Sequence, residues 1–575
     1  MSKVAGRKLY YTINAVAGLA IFFFGYDQGM MGGVNTSPDY VRVMKLGYST
    51  YEGPSEGYVA TITEPTRQGG IVSIYYFGTL LGCLMGGILG DRIGRIKTMF
   101  LGSIWVLLGA SLQCSAQNVA WMCCARIING IGTGHLNAIV PVWSAEVATH
   151  TSRGAFIASE FTLNIFGVVV AYWLEFGLGF VGDGTSQVRW RVRNICRTSW
   201  KLVLIISSTQ TSRIRQTLQR KRSLLVFPIA FQILPVLGFI ACLPLMPESP
   251  RWLVKMGRDQ EAREILGRLR SDDGNIEASA AVAEYDDIVA ANVLEKEHAG
   301  RNSYFSMFFG RNDGGFHIAR RVQLSIWLQI IQEWVGIAAI TVYAPTIFSE
   351  AGYGARKSQW LSGLNDITYM ISTLLAVVTI DRLGRRVGLW WGAVGQGISL
   401  ILAGAFSRLL KDHPEKASQY GGAAALFVFM YTAIFGATWL TIPWVYPTET
   451  FPLQVRAKGN AFGVFGWSIG NGWLTLLNPV MFARIGENTL HIFGAINFLS
   501  IPMVWAFYPE TANRTLEEMD HLFMSKSPFV WEEEAHFRKV KAEVEKGTLE
   551  RASMKAGGAT PSELKVQDEK YVSEQ

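Results

Sequence analysis

The segment GGILGDRIGR, residues 86–95, ends an apolar run with one Asp and two Arg residues. A similar segment, AVVTIDRLGRR, ends a second apolar run at residues 376–386. A single short match of this kind arises easily by chance, so the segments on either side decide whether it marks a repeat.

Two further pairs of segments match in the same order along the chain. PVWSAEVATHTSRG at 141–154 resembles PWVYPTETFPLQVRAKG at 443–459, and PES at 247–249 resembles PET at 509–511. Three matches in one order predict two related halves. Repeats of this kind are typical of secondary transporters, which place a site between the halves and expose it alternately to each side of the membrane.

The composition predicts a polytopic membrane protein. The chain has 575 residues, of which 49% are hydrophobic and 17% charged, a balance too apolar for an ordinary soluble protein of this length. A membrane-spanning helix needs roughly 20 apolar residues. We count twelve such runs, in two sets of six, which predict an all-α fold: approximately 9–31, 70–90, 98–117, 119–143, 155–180, 227–246, 322–349, 360–380, 388–408, 421–446, 459–483 and 490–508.

The runs divide the chain into four predicted regions. Residues 1–247 form an N-terminal six-helix half and residues 321–524 a C-terminal half. Residues 248–320 are charged and include the helical pattern DQEAREILGRLR, so they predict a helical linker domain. Residues 525–575, rich in Glu, Lys, Ser and Gly, predict a disordered tail.

The basic residues of the short loops predict the orientation, because Lys and Arg are retained on the cytoplasmic side. They follow the second, fourth, eighth and tenth runs, which places the linker, the tail and both termini in the cytoplasm. The membrane is expected to be the plasma membrane. The first run is long enough to span and has no convincing cleavage site, so we expect it to remain as the first helix.

Several motifs resemble the sugar porter family of the major facilitator superfamily, especially its fungal members. They are GDRIGR, IDRLGRR, AEVATHTSRG, PESPRW, PWVYPTE and YPETANRTLEE, and the resemblance extends from about residue 9 to residue 524. It implies the major facilitator fold, alternating access and a monosaccharide-class substrate.

A carboxylate within the first run is costly. Asp27 lies in IFFFGYDQG, residues 21–29, and insertion scales assign roughly 2.5 to 3.5 kcal/mol to an Asp at the centre of a helix. Arg126, in the fourth run, is predicted at a similar depth. In proton-coupled members of the family an Asp in the GYD segment and an Arg in helix 4 couple protons, which favours proton symport here. A permanent structural pair is the alternative.

The resemblance also implies a sugar site, from which this chain departs in part. The family uses two Gln residues followed by Gly-Ile-Asn in helix 7, and a Trp in helix 10. Gln332, Gly336 and Trp444 keep this pattern, whereas Glu333 replaces the second Gln and an Ala replaces the Asn. In helices 5 and 11 the residues at or near the expected contacts are Phe161, Asn164 and Asn471. Glu333 either faces a hydroxylated solute such as a polyol or pairs with a neighbouring helix.

The charged residues of the repeated motifs are candidate gating ion pairs, with simple membrane anchoring as the alternative for the arginines. They are Asp91, Arg92, Arg95, Glu146, Arg153, Asp381, Arg382, Arg385, Glu449 and Arg456.

Residues 192–226 do not fit the family pattern. They carry eight basic residues and no acidic one, on the side where positive charge is disfavoured. Without them the chain reads WRFPIAFQ, which resembles the usual start of helix 6. We expect a translated retained intron, with a genuine insertion as the alternative, and reverse-transcribed message across this region distinguishes the two.

The predicted function is secondary active transport of a sugar or related polyol, with protons as the coupling ion and the lipid bilayer as surroundings. A non-transporting sensor of the same fold is the alternative. No nucleophile and base set, metal-ligand spacing, phosphate loop or nucleic-acid motif is apparent, so we expect no enzyme activity, cofactor or metal. The glycine pattern GIGTG, residues 130–134, predicts close helix packing.

Overall fold

The computed structural model describes residues 5–53, 58–148, 153–178, 228–297, 303–310, 317–452, 455–512, 514, 516–523, 525, 527–539 and 541–542. The segment 192–226 and residues 543–575 lie outside these described residues.

The N-terminal half contains eight helices and one hairpin in the described residues. They are α1 (Gly6–Val34), α2 (Pro38–Val43), β1 (Gly47–Tyr51), β2 (Tyr58–Ile62), α3 (Pro65–Ile93), α4 (Arg95–Cys114), α5 (Val119–Val147), α6 (Arg153–Leu178), α7 (Pro228–Phe231) and α8 (Ile233–Cys242). The antiparallel hairpin β1–β2 pairs Gly47 with Ile62 and was not expected from the sequence.

Four helices follow in the region of the predicted linker: α9 (Pro250–Lys255), α10 (Asp259–Arg270), α11 (Ser279–Glu297) and α12 (Tyr304–Phe309). The C-terminal half contains α13 (Ile318–Gln332), a π-helical turn (Glu333–Ile337), α14 (Ala338–Glu350), α15 (Ala355–Leu383), α16 (Arg385–Asp412), α17 (Ala417–Ala437), α18 (Ile442–Thr450), α19 (Arg456–Ile485), α20 (Asn488–Phe507) and α21 (Leu516–Phe523).

Nine helical stretches of the described chain are long and apolar enough to cross a membrane. Three more elements complete the twelve predicted positions: α5 with 29 residues, α19 with 30, and the shorter apolar stretch Ile233–Leu245. The all-α fold in two six-helix halves is therefore confirmed. We call the end of the bundle where α1 begins the inner end, and the opposite end the outer end.

The halves meet along two helix pairs, α3 with α19 and α6 with α15. The hydroxyl oxygens of Thr79 and Ser468 lie 2.7 Å apart across the first pair. Across the second, the Thr373 hydroxyl donates to that of Thr162 at 3.0 Å. These hydroxyl contacts join the two halves across both helix pairs.

Small residues bring the helices within each half close together. A Cβ atom added at Gly134 would lie 2.3 Å from the carbonyl oxygen of Thr79, and one added at Gly130 would lie 2.3 Å from that of Tyr75. The packing interpretation of GIGTG is therefore confirmed, because α5 approaches α3 too closely for side chains at these positions.

Part of the predicted tail is ordered. Residues 530–539 are helical, and Phe529 stacks on Phe507 with ring centroids 5.7 Å apart. Arg320 donates to the Glu533 carboxylate at 2.9 Å, so this segment is attached to the inner end of α13. The prediction of disorder was wrong for this short stretch, because the polar composition of the tail does not reveal these few apolar and charged contacts.

Candidate functional site

A small cavity lies between the two halves. Its volume of about 30 Å³ accommodates about two water molecules, since one water needs about 10 to 15 Å³. It is lined by Phe24, Gln28, Phe161, Asn164, Ile165, Val168, Gln332, Glu333, Ile337, Ala338, Thr341, Tyr369, Phe435, Leu440, Trp444 and Trp467. The halves must separate on one side before a larger solute can enter.

The wall contributed by α13 and α14 is a broken helix. Gly336 has a φ angle of +114°, a conformation that other residues adopt only with strain, so the helix is interrupted there. The freed carbonyl oxygen of Val335 accepts from the Asn497 amide at 2.8 Å and from the Tyr431 hydroxyl at 3.1 Å. The predicted Gly336 thus shapes the backbone behind the cavity and does not line it.

A second break between α17 and α18 positions Gln332. The side-chain amide of Gln332 donates to the carbonyl oxygens of Trp439 and Leu440, at 2.9 Å each. Its own carbonyl oxygen has no hydrogen-bond partner among the described residues. Interrupted helices of this kind expose backbone and side-chain polar groups near the midplane of transporters.

Glu333 is buried beside Gln332 and is held from α19. The side chains of Asn471 and Trp467, both on α19, lie beside its carboxylate. Asn471 is therefore behind the cavity wall, in contact with Glu333. Glu333 therefore lines the cavity and also contacts a neighbouring helix, α19.

Aromatic rings form the opposite wall. Phe161 lies 5.0 Å from Trp444, measured between ring centroids, and Trp444 lies 5.8 Å from Trp467. Phe24 packs edge-on against Trp467 at 5.2 Å. Phe161, which stands where the family has an amide, therefore extends an aromatic surface, while Asn164 on the same helix reaches the cavity and donates to the carbonyl of Ile21 at 3.2 Å.

Asp27 is 1% exposed and lies in a buried polar cluster toward the outer end. Its Oδ1 accepts from the Asn129 amide at 3.0 Å, and Tyr75 lies beside the carboxylate. The Arg126 guanidinium stacks over the Tyr75 ring, 4.9 Å from its centroid. The structure places Asp27 and Arg126 in one cluster but not in direct contact, because the Tyr75 ring packs against the Arg126 guanidinium.

The candidate gating residues of the N-terminal half form a network at the inner end. Arg95 makes two hydrogen bonds to Glu146, at 2.9 and 3.0 Å, and lies 3.5 Å from Asp91. The Glu248 carboxylate accepts from the backbone amides of Arg95 and Ile96. Gly94 permits the turn, with a φ angle of +98°.

The C-terminal half repeats this arrangement. Arg385 donates to Glu449 at 2.6 and 3.2 Å and to Asp381 at 2.9 Å. The Glu510 carboxylate accepts from the backbone amides of Arg385 and Arg386. The repeated GDRIGR, AEV and PES motifs and their counterparts therefore correspond to one structural unit in each half.

Other predicted gating residues lie elsewhere or are not described in full. Arg92 and Arg382 are exposed, and Arg456 is buried and donates to the carbonyl of Phe451 at 3.3 Å. The positive charge of Arg456, in the C-terminal half, also interacts with the carboxylate of Glu146 in the N-terminal half. The side chain of Arg153 lies outside the described part of the structure.

Eleven of the sixteen residues that line the cavity were not predicted from the sequence, among them Gln28, Trp467 and Tyr369. Gln28 follows Asp27 directly, and its amide contacts Tyr76. Trp467 and Tyr369 lie on α19 and α15. Gln28 carried a readable signal, a second polar side chain in an apolar run, whereas the two aromatic residues resemble ordinary packing residues in a membrane helix.

Comparison with known proteins identifies relatives over nearly the whole chain. The family model described as "Sugar (and other) transporter" matches residues 13–212 and 207–523. Sugar transporter STL1 of Saccharomyces cerevisiae is 30% identical over 526 residues, covering 90% of this chain and 82% of that protein. Quinate permease of Neurospora terricola is 26% identical, covering 90% and 89% of the two chains.

Solved structures show the same fold. The proton:xylose symporter XylE bound to 6-bromo-6-deoxy-D-glucose has a TM-score of 0.68 and 23% sequence identity, with 89% of this chain and 99% of that chain covered. The chain belongs to the sugar transporter family of the major facilitator superfamily and is an integral membrane transporter. The prediction that it is not an enzyme is confirmed by this membership.

Proposed function

We propose that the protein is a proton-coupled symporter that moves a sugar or related polyol by alternating access of its two halves. The observation that carries this proposal is the arrangement around Asp27, a buried carboxylate with one amide donor and a neighbouring cation that it does not contact. A carboxylate in such a site gains or loses a proton readily when its exposure to water changes.

The proposed cycle follows from the electrostatics of this cluster. When the outer side is open, water reaches Asp27 and a proton from outside binds to it. Neutral Asp27 no longer attracts Arg126. The solute-loaded halves are then free to close on the outer side and to open on the inner side. Exposure to the inner side then releases the proton, and the attraction between the charged groups is restored.

The cavity supports a hydroxylated solute with an apolar face. Gln332 presents an unused carbonyl oxygen and Gln28 an amide, while Trp444 and Phe161 offer an aromatic surface for C–H groups. Glu333 adds a carboxylate that accepts from hydroxyl groups. The named relatives include a sugar transporter and a quinate permease, so we extend the substrate class from hexoses and pentoses to polyols and similar polyhydroxylated compounds.

We place the protein in the plasma membrane with both termini in the cytoplasm. The basic loop residues that predict this orientation lie at the inner end, together with the paired Arg95 and Arg385 networks. Glycosylation tags inserted at exposed outer and inner loop positions test the orientation, and modification at an inner position contradicts it.

The first test uses a host that lacks its own transporters, screened with hexoses, pentoses, disaccharides and polyols. For an accumulated solute, adding it to wild-type cells is expected to make the medium alkaline. Asp27→Asn is expected to abolish this signal and uphill accumulation while exchange survives in part. Asp39→Asn serves as the control, since Asp39 lies on α2 and pairs with Arg42 at 2.6 Å.

Two outcomes contradict the proposal. If Asp27→Asn still makes the medium alkaline like wild type at matched surface expression, Asp27 does not couple protons. If no solute in the screen accumulates although the protein reaches the surface, the proposed substrate class of sugars and polyols is wrong.

The second test concerns the cavity. Gln332→Ala and Trp444→Ala are each expected to weaken solute affinity by about 1 to 3 kcal/mol, because each removes a buried polar or stacking contact. Gln329→Ala is the matched control, since Gln329 lies one turn earlier and its amide donates to the carbonyl of Pro443 at 3.0 Å. Unchanged affinity in both cavity variants removes these residues from the site.

A further inference from the structure

A second carboxylate, Asp366, is buried in the membrane-spanning part of α15. Its side chain is 2% exposed, and its Oδ2 has no hydrogen-bond partner among the described residues. The neighbouring Asn365 is also buried, and neither of its side-chain polar atoms has a partner in the described chain. Neither residue has a place in the site described above, although an ionisable group in a membrane helix is costly unless it has a function.

Asp366 lies on the face of α15 that meets α6 of the other half. The Trp173 ring nitrogen donates to the carbonyl of Gly363 at 3.2 Å, and the Thr373 hydroxyl donates to that of Thr162. On a helix, residues 363, 366, 370 and 373 share one face. These two contacts fix the antiparallel register of α6 and α15. In this register Asp366 lies between the two contacts, opposite Val169.

The groups around Asp366 offer no compensating charge. Tyr369, one turn along α15, is the titratable group beside it, with Tyr431 of α17 and Glu333 beyond Tyr369. On the other flanking helices, Glu350 of α14 and Lys411 of α16 pair with each other at 2.7 Å, at the outer end. In the described chain, no Lys, Arg or His lies within ion-pair distance of Asp366, which therefore faces an apolar surface of α6.

The position of Asp366 makes its charge dependent on the arrangement of the halves. In the closed arrangement, an ionised Asp366 has neither water nor a cation, and this costs free energy. When α6 and α15 separate, water enters and the charge is solvated. By contrast, the buried Glu160 accepts from Ser144 at 2.5 Å within the N-terminal half, so movement between the halves does not change that contact.

We propose that Asp366 is a second proton-binding site, at the contact between α6 and α15, and that it must bind a proton for the two halves to close at the outer side. A ligand shifts a conformational equilibrium only through its different affinity for the two states, and a proton on Asp366 meets this condition. The proposal rests on alternating access but not on coupling through Asp27. It makes outer closure sensitive to pH even without solute.

The test measures outer opening directly in solute-free protein. Spin labels are attached at Thr66 and Lys357, exposed residues at the outer ends of α3 and α15 in opposite halves, after replacement of the six native cysteines. Distances are measured in lipid nanodiscs between about pH 5 and about pH 9, a range that covers buried carboxylic acids. If opening releases one proton, the ratio of closed to open protein is expected to fall by up to about tenfold for each unit by which the pH rises.

Asp366→Asn is expected to remain closed across this range, whereas Asp366→Glu is expected to retain the response. If Asp366→Asn does not fold, Asp366→Ser replaces it with the same expectation. A pH response in Asp366→Asn equal to that of wild type overturns the proposal, as does a wild-type distance that does not change with pH. Because no solute is present, these outcomes are independent of whether the screen above finds a substrate or Asp27 couples protons.

Discussion

Substitution of Glu146 by Gln tests the role of the inner-end networks. Glu146 is fully buried and receives both arms of the Arg95 guanidinium, which is itself 1% exposed. A neutral amide keeps the shape but turns one acceptor oxygen into a donor that faces Arg95. Arg95 then retains the Gly90 carbonyl at 2.8 Å and a long contact to Asp91 at 3.5 Å.

The size of the effect follows from this loss. Breaking a buried ion pair by removing one partner costs about 3 to 5 kcal/mol, because the remaining charge stays buried. The equivalent change in the other half, Glu449→Gln, is expected to cost less, about 1 to 3 kcal/mol. Glu449 is 13% exposed, and Arg385 keeps the direct contact to Asp381 at 2.9 Å.

Unfolding is measured by denaturant titration in detergent, with thermal midpoints as a second measure. The expected order of stability is wild type, then Glu449→Gln, then Glu146→Gln. Arg382→Gln serves as the control, because Arg382 is exposed on the same inner end and its loss is expected to change stability by less than about 0.5 kcal/mol. Equal losses in the two halves, or a larger loss for Glu449→Gln, refute the reasoning from burial and remaining partners.

Three further expectations follow from single residues. Gly336→Ala is expected to lower stability by about 1 to 3 kcal/mol in thermal unfolding, because its φ angle is +114° and the new Cβ lies 3.2 Å from Phe493. Burial raises the pKa of Glu533 to about 8, against the lowering effect of Arg320. Stability from this group is therefore full below its ordinary pKa of about 4.5 and is lost as the pH rises through about 8. The protection of residues 530–539 against hydrogen exchange, measured relative to the intrinsic rate at each pH, is expected to be lower at about pH 9 than at about pH 6, and Glu533→Gln is expected to remove the difference. Glu333→Gln restores the family's amide pair, and competition uptake is expected to shift toward ordinary hexoses; an unchanged solute profile favours a purely structural role.

Much of the inner-end chemistry was readable as sequence. The repeated motifs predicted ion pairs among their charged residues, and Arg95 with Glu146 and Arg385 with Glu449 form such pairs. Charged residues at matching positions of two repeats make matching contacts, which is why the pairing was readable. The roles of PES and PET were not readable. Their carboxylates accept backbone amides across a turn, a contact between segments far apart in the chain that no local pattern encodes.

The central site was predicted only in part. Gln332, Glu333, Trp444, Phe161 and Asn164 line the cavity as expected. Residues such as Trp467 were missed, because an aromatic residue in a membrane helix has the same sequence signature whether it faces lipid, another helix or a cavity.

By itself, the sequence determined the twelve runs, their order in two halves, the family and the presence of an acid and a base in the first and fourth runs, because hydrophobic length and repeated motifs are properties of the chain alone. The tertiary structure decided which of those groups meet. Depth along a helix is set by a rise of about 1.5 Å per residue, but contact also depends on rotation and on what lies between. Asp27 and Arg126 reach the same cluster, yet Tyr75 occupies the face of Arg126, and Asp366 acquires its significance only because helix packing buries it opposite the other half.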